Sequence, residues 1–118
     1  RGADVNAGDR NNVTPLYVAC QEGHTTLVSL LLDRGADVNA ARKDGVTPLY
    51  AAAQQGYRDA AAMLLDKGAA VDAATKTGVT PLFRACEKGQ LAVVQLLLER
   101  GAVIDRGKEN GWTALAIA

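Results

Sequence analysis

The chain has few of the side chains on which catalysis depends. It contains one serine, Ser29, one histidine, His24, and two cysteines among its 118 residues. A serine–histidine–acid arrangement would have to use Ser29, which lies in the middle of a predicted helix on its expected solvent side. An exposed helical serine is the simpler interpretation, so no catalytic residue is predicted.

Excess charge and long apolar runs are also missing. Thirteen basic residues balance 13 acidic ones, whereas nucleic-acid-binding domains usually carry a basic excess. The apolar runs, such as residues 30–32, are far shorter than the eighteen or so residues that cross a bilayer. The glycines do not have the spacing of a phosphate-binding loop. We therefore expect no nucleic-acid partner, no membrane segment and no cofactor.

What the chain does contain is a repeated phrase. Val-Thr-Pro-Leu begins at residues 13, 46 and 79, and Trp-Thr-Ala-Leu begins at residue 112. Gly-Ala-Asp-Val-Asn at residues 2–6 returns at 35–39, and altered copies follow at 68–72 and 101–105. Because many positions stay in register without an insertion, the pattern indicates tandem repeats.

Each repeat predicts two helices and a turn. A first helix begins at Thr14-Pro15, since threonine caps a helix and proline fits its first position, and it ends at Gly23. A second, leucine-rich helix ends at Gly35. An extended finger follows, with a tight turn whose second residue is always asparagine or glycine. Such a unit buries its apolar face only against its neighbours, so the array is the folding unit.

The cysteines fit this repeat as buried residues. Cys20 and Cys86 share one repeat position with Ala53, which indicates a small buried slot, although Cys20 and His24 could alternatively form a thiolate pair. Two repeats place the cysteines about 20 Å apart at ordinary helix spacing, whereas a disulfide needs about 7 Å. Two free thiols are predicted, and they suit a reducing compartment, the cytoplasm or the nucleus. One histidine and two distant cysteines are too few for a zinc site.

Taken together, the motifs resemble the ankyrin repeat over essentially the whole chain. The resemblance implies an all-α repeat solenoid, an ankyrin array of helix-turn-helix units with β-hairpin or finger loops. A single array is expected over residues 1–118. Its parts are a partial repeat and finger at 1–12, repeats at 13–45, 46–78 and 79–111, and a partial repeat at 112–118.

Two family positions differ in this sequence. The family phrase is usually Thr-Pro-Leu-His, and its histidine bonds to the neighbouring finger. That fourth position is held here by Tyr17, Tyr50, Phe83 and Ala116. The aspartate that often opens the finger turn is kept as Asp9 and replaced by Arg42, Thr75 and Lys108. Because a phenyl ring cannot form the histidine's bond, we expect no such polar contact at Phe83.

The resemblance also implies where a partner binds, because ankyrin arrays typically grip a protein on their concave face. The positions there vary in type between repeats, while the scaffold positions do not. The predicted partner-binding residues are Arg10, Asn11, Val13, Gln21, Glu22, Lys43, Asp44, Val46, Gln54, Gln55, Lys76, Thr77, Val79, Arg84, Glu87, Lys88, Glu109, Asn110 and Trp112. Trp112 is the preferred anchor, unless it packs only on its own finger. Arg84 is expected either to pair with Glu87 or to contact the partner.

Several alternatives remain open at this stage. The chain is also compatible with a designed or reconstructed scaffold that has no natural partner, or with the regulatory or targeting segment of a larger enzyme. A monomer is expected, with self-association through uncapped ends as the alternative, since Leu115 and Ile117 have no following helix. Asn39 is a candidate for asparaginyl hydroxylation, because its surroundings resemble the ankyrin sequences that these hydroxylases modify, or it only braces the finger.

Overall fold

The computed structural model describes residues 5–104, which fold into six α-helices and contain no strand. The helices come in three pairs that recur along the chain, as the repeat predicts. They are α1 (Pro15–Glu22), α2 (Thr25–Asp33), α3 (Pro48–Gln55), α4 (Arg58–Asp66), α5 (Pro81–Glu87) and α6 (Leu91–Glu99). Among these helices, none is long and apolar enough to cross a membrane.

The first helix of each pair begins at the predicted threonine and proline. The Oγ1 atoms of Thr14, Thr47 and Thr80 accept the backbone N–H three residues further on, at distances of 3.2, 3.1 and 3.1 Å. Each such cap contributes about 1 kcal/mol to helix stability. Gly23 and Gly56, with φ of 75° and 81°, end α1 and α3 in the left-handed conformation. These local signals place every first helix in the same position within its repeat.

The helices stack in two rows. In one row α1 packs against α3 and α3 against α5, and in the other α2 packs against α4 and α4 against α6. Leu16, Leu49 and Leu82, one from each repeat, are only 1% exposed. Because a fully buried leucine contributes roughly 1.5–3 kcal/mol, most of the stability of the array comes from contacts between neighbouring repeats.

The fingers are hydrogen-bonded turns rather than β-strands. Asn12, Gly45 and Gly78 have positive φ angles of 61°, 87° and 85°, as predicted for the second turn residue. In the second finger the N–H of Arg42 donates to the carbonyl of Val46 at 2.9 Å. The prediction of a finger loop is confirmed, but its hairpin is limited to this short turn in the part of the chain that the structure describes.

Neighbouring fingers are joined by backbone hydrogen bonds. The N–H of Lys43 donates to the carbonyl of Asn11, and the N–H of Lys76 donates to the carbonyl of Asp44, both at 3.0 Å. Because one finger follows the next in this way, the three described fingers form a continuous row along the array.

A second connection runs along the loops that follow the second helices. Asn39 Oδ1 accepts the N–H of Ala70 at 2.8 Å, and Asp72 Oδ1 accepts the N–H of Val103 at 3.1 Å. Asn39 Nδ2 also donates to the carbonyl of Gly68 at 3.4 Å. The expected bracing role of Asn39 is therefore present in the structure.

The amino-terminal side of the described array has an apolar helix face. Leu27 and Leu30 of α2 are 41% and 46% exposed, whereas their repeat counterparts Val93 and Leu96 are at most 2% exposed. The difference arises because α4 packs on α6 at the corresponding place. Leu115 and Ile117, named above for self-association, lie outside the described residues, so self-association stays a prediction.

Candidate partner-binding surface

One side of the array is formed by the fingers together with the first helices. We call this side the finger face and define it as residues 7–23, 40–56 and 73–89. The opposite side, the second-helix face, consists of residues 24–39, 57–72 and 90–104. All predicted partner-binding residues that the structure describes belong to the finger face.

Most of the predicted residues have accessible side chains. The exposed ones are Arg10, Asn11, Glu22, Lys43, Asp44, Gln55, Lys76, Thr77, Glu87 and Lys88. The half-buried ones are Val13, Gln21, Val46, Gln54 and Arg84. Glu109, Asn110 and Trp112 lie outside the described residues, and their part in binding stays a prediction.

Val79 differs from the other predicted residues because it is buried. It is 7% exposed and forms a small apolar cluster with Tyr50 and Phe83, against which Val46 packs. Its assignment as a contact residue therefore needs correction. Val79 fixes the third finger to the first helices and offers little surface to a partner.

A cavity of about 440 Å³ opens on the finger face between the fingers and the first helices. Seven predicted residues line it, namely Gln21, Asp44, Val46, Gln54, Lys76, Thr77 and Arg84. Five further lining residues were not predicted, namely Tyr17, Arg42, Tyr50, Ala51 and Thr75. The structure thus brings side chains from all three described repeats to one place.

Arg42 is the most important residue that sequence reasoning missed. Its Nη1 donates to the hydroxyl of Tyr17 at 2.9 Å and its Nη2 to Asp44 Oδ2 at 2.8 Å, while its Cζ lies 5.3 Å from the centroid of the Tyr17 ring. The bond to Tyr17 is the main cause that raises the pKa of Arg42, so the guanidinium stays charged. Both residues depart from the family pattern, Arg42 from the finger aspartate and Tyr17 from the histidine. These two departures were the sequence feature that could have indicated the contact.

The finger turns keep their side-chain acceptor even where the opening aspartate is replaced. Asp9 Oδ1 accepts the N–H groups of Val13 and Asn11, and these two bonds, that of Val13 first, lower the pKa of its carboxyl group. Thr75 Oγ1 makes the equivalent bonds in the third finger. In the second finger Asp44 accepts the N–H of Val46 at 3.2 Å. Because Asp44 supplies the acceptor, the second turn does not need one at position 42, and the side chain of Arg42 can contact Tyr17.

Arg84 forms the expected pair with Glu87, and it also bonds to Gln54, which the sequence did not indicate. Its Nη1 donates to Glu87 Oε1 at 2.5 Å, one turn further along α5, and its Nε donates to Gln54 Oε1 at 2.9 Å. Its Cζ lies 5.9 Å from the centroid of the Tyr50 ring. Bonds to α3 and α5 together hold the guanidinium at the cavity.

Charge is distributed unequally between the two faces. The finger face carries six basic residues, Arg10, Arg42, Lys43, Lys76, Arg84 and Lys88, and four acidic residues, Asp9, Glu22, Asp44 and Glu87. The second-helix face carries four basic residues, Arg34, Arg58, Lys67 and Arg100, and six acidic residues, Asp33, Asp37, Asp59, Asp66, Asp72 and Glu99. The described part of the chain is therefore polarised, with its positive side at the cavity.

The repeat geometry agrees with the comparison against known protein families. A family model of ankyrin repeats (3 copies) matches residues 1–75 and, again, residues 67–118, so the two matches span the chain. The chain belongs to the ankyrin repeat family. Ankyrin repeats are generally protein–protein interaction modules, and the repeat itself is a non-catalytic interaction domain. No curated protein matches this ankyrin array.

The thiols of the ankyrin array are buried in its core. Cys20 is 0% exposed and Cys86 is 5% exposed, and both are free, as predicted. Burial raises the pKa of Cys20 to about 12 and also raises that of Cys86. Since the thiolate is the reactive form, neither cysteine is prepared for nucleophilic chemistry. The alternative of a thiolate pair with His24 has no support in this arrangement.

The remaining residues weighed as chemical candidates belong to the second-helix face of the ankyrin array. Ser29 lies within α2 and His24 immediately precedes that helix, and both are exposed. Over residues 5–104, no three metal-ligating side chains come together. Hydroxylation of Asn39 stays a prediction, and an enzyme would have to release both bonds of the side-chain amide before reaching it.

Proposed function

We propose that this ankyrin array binds a partner protein through the finger face, its concave side. The observation that carries the proposal is the cavity. Its lining includes positions whose residue type changes between repeats, while the residues that cap the helices do not change. Thr14, Thr47 and Thr80 repeat without change, whereas the cavity position held by Ala51 in the second repeat is held by Arg84 in the third. Such variation on a fixed scaffold is expected of a recognition surface.

The finger face is also large enough for the role. Neighbouring repeats are about 10 Å apart, so three fingers and their first helices can supply the roughly 800 Å² that each partner contributes to a standard interface. The side chains there are amphipathic, since aromatic rings lie beneath arginine guanidinium groups. Arginine and tyrosine are enriched among the residues that dominate binding energy.

Affinity capture from a cell lysate tests the proposal with a matched pair of variants. Lys43→Ala with Lys76→Ala removes two exposed cations at one repeat position of the finger face. Arg34→Ala with Lys67→Ala removes two exposed cations at one repeat position of the second-helix face. The first pair should reduce recovery of a captured protein by about tenfold, and the second should leave it unchanged.

The outcomes separate the competing functions. Equal recovery with both pairs of variants would place the interface elsewhere on the molecule. If wild-type protein captured nothing specific, the interpretation as a designed or reconstructed scaffold would be favoured. A regulatory or targeting segment of a larger enzyme would use the same finger face, and the captured protein would then be the target of that enzyme.

A further inference from the structure

The cavity on the finger face has a surplus of positive charge. Three basic side chains, Arg42, Lys76 and Arg84, line it together with one acidic side chain, Asp44. Asp44 is already engaged, because its two carboxylate oxygens accept from Arg42 and from the N–H of Val46. Arg84 is paired with Glu87 on α5, so Lys76 is the lining cation that has no acidic partner in the described part of the chain.

Lys76 keeps its donors for an incoming group, whereas Arg84 is already engaged. Arg84 uses Nε for Gln54 and Nη1 for Glu87, and its guanidinium also contacts the side chain of Tyr50. Lys76 is exposed, and its ammonium group makes no ion pair within the described part of the chain. Arg42 is bound to Tyr17 and Asp44, and its unpartnered Nε is buried, so an incoming anionic group would meet Lys76 first.

The ammonium group of Lys76 favours a carboxylate. It is a compact positive charge with three donors, and it can bind an anionic oxygen without leaving another acidic partner. Arg84, which is held by Gln54 and Glu87 and lies over the Tyr50 ring, lines the same cavity. Apolar lining residues such as Val46 and Ala51 can at the same time contact the aliphatic part of a peptide.

We infer that the cavity receives an acidic segment of a partner protein, with a glutamate or aspartate side chain bound by Lys76. This inference rests on the proposed function and names the chemistry of the partner. The polarised charge supports it, because an acidic segment is attracted to the finger face and repelled by the second-helix face. A nucleic acid is disfavoured, since an excess of two positive charges is small beside the phosphate contacts that such binding uses.

The test is a titration of isotopically labelled array, followed by NMR, with two short peptides of the same length. One alternates glutamate with leucine, and the other has glutamine in place of glutamate. The glutamate peptide should shift the backbone amide signals of Lys76 and Thr77 and bind at least about tenfold more tightly than the glutamine peptide. Its affinity should fall as the salt concentration rises, because exposed charges are screened.

A matched pair of variants locates the effect. Lys76→Gln should weaken binding of the glutamate peptide severalfold, whereas Lys67→Gln, which changes another exposed lysine, on the second-helix face, should leave the affinity unchanged. Equal affinity for the two peptides, equal loss in the two variants, or no saturable binding up to about 1 mM would overturn the inference. Tighter binding of a single-stranded oligonucleotide in the same assay would also overturn it.

Failure of this inference is distinguishable from failure of the proposed function. If the peptides do not discriminate but Lys43→Ala with Lys76→Ala still reduces capture from a lysate, the finger face binds a partner that is not acidic. If capture is also unaffected, the finger face itself is the wrong surface.

Discussion

Replacing Leu64 by alanine is expected to lower the free energy of unfolding of the array by about 2–5 kcal/mol. Leu64 lies in α4, the middle member of its row, and its side chain is 0% exposed. Because α2 and α4, and α4 and α6, pack against each other, the lost methyl groups leave a cavity where two inter-repeat interfaces meet. Chemical denaturation of both proteins, monitored by circular dichroism, measures the difference.

Two other leucines serve as controls for this substitution. Leu31 has the same repeat position in α2 but is only half-buried, so Leu31→Ala should cost less than Leu64→Ala. Leu91 begins α6 and is 72% exposed, so Leu91→Ala should change stability by less than about 0.5 kcal/mol. If all three substitutions cost the same, burial between repeats would not be the source of stability.

Gly45→Ala is expected to destabilise the array by roughly 2–4 kcal/mol, because strain and steric overlap occur together. Gly45 has a φ of 87°, a conformation that residues with a Cβ rarely adopt. A Cβ atom there would lie 2.9 Å from the backbone nitrogen of Lys76 and 3.1 Å from the Cα of Thr75. Since both atoms belong to the backbone of the next finger, the fingers would have to separate. Thermal denaturation of the variant measures the loss.

Gly35→Ala is the control for Gly45→Ala, because it introduces the backbone strain without the steric overlap. Gly35 has a φ of 92°, but a Cβ atom at this position would have no atom of the described residues within 4 Å. It should therefore cost only the roughly 1–2 kcal/mol of the left-handed conformation. An equal cost for Gly35→Ala and Gly45→Ala would mean that close contact between fingers contributes nothing to the fold.

The helices could be predicted from the sequence because their signals are local. The threonine cap, the following proline and the closing glycine act within one turn of the backbone. Each of these signals occurs three times, once in each repeat. The end of α5 shows the limit of this reasoning. Lys88, with a φ of −90°, follows Glu87 as the cap, and the left-handed residue is Gly89 beyond it.

The site was less predictable because its contacts join residues distant in the sequence. Arg42 and Tyr17 are 25 positions apart, and Arg84 and Gln54 are 30 apart. Repeat position alone could not distinguish Val79, which is buried, from Val13, which is half-buried, since burial depends on neighbouring aromatic side chains. Departures from the family pattern indicated where such contacts would form, but not which residues they would join.

Hydrogen exchange at the fingers tests the central claim, that successive repeats are joined into one row which carries the binding surface. Lys43 and Lys76 have exposed side chains, yet their N–H groups donate to the carbonyls of Asn11 and Asp44 in the preceding finger. The account predicts that these two amides exchange at least about tenfold more slowly than the N–H of Asp44, which has no acceptor in the described part of the chain. Exchange of all three at the same fast rate would contradict the stacked arrangement of the fingers.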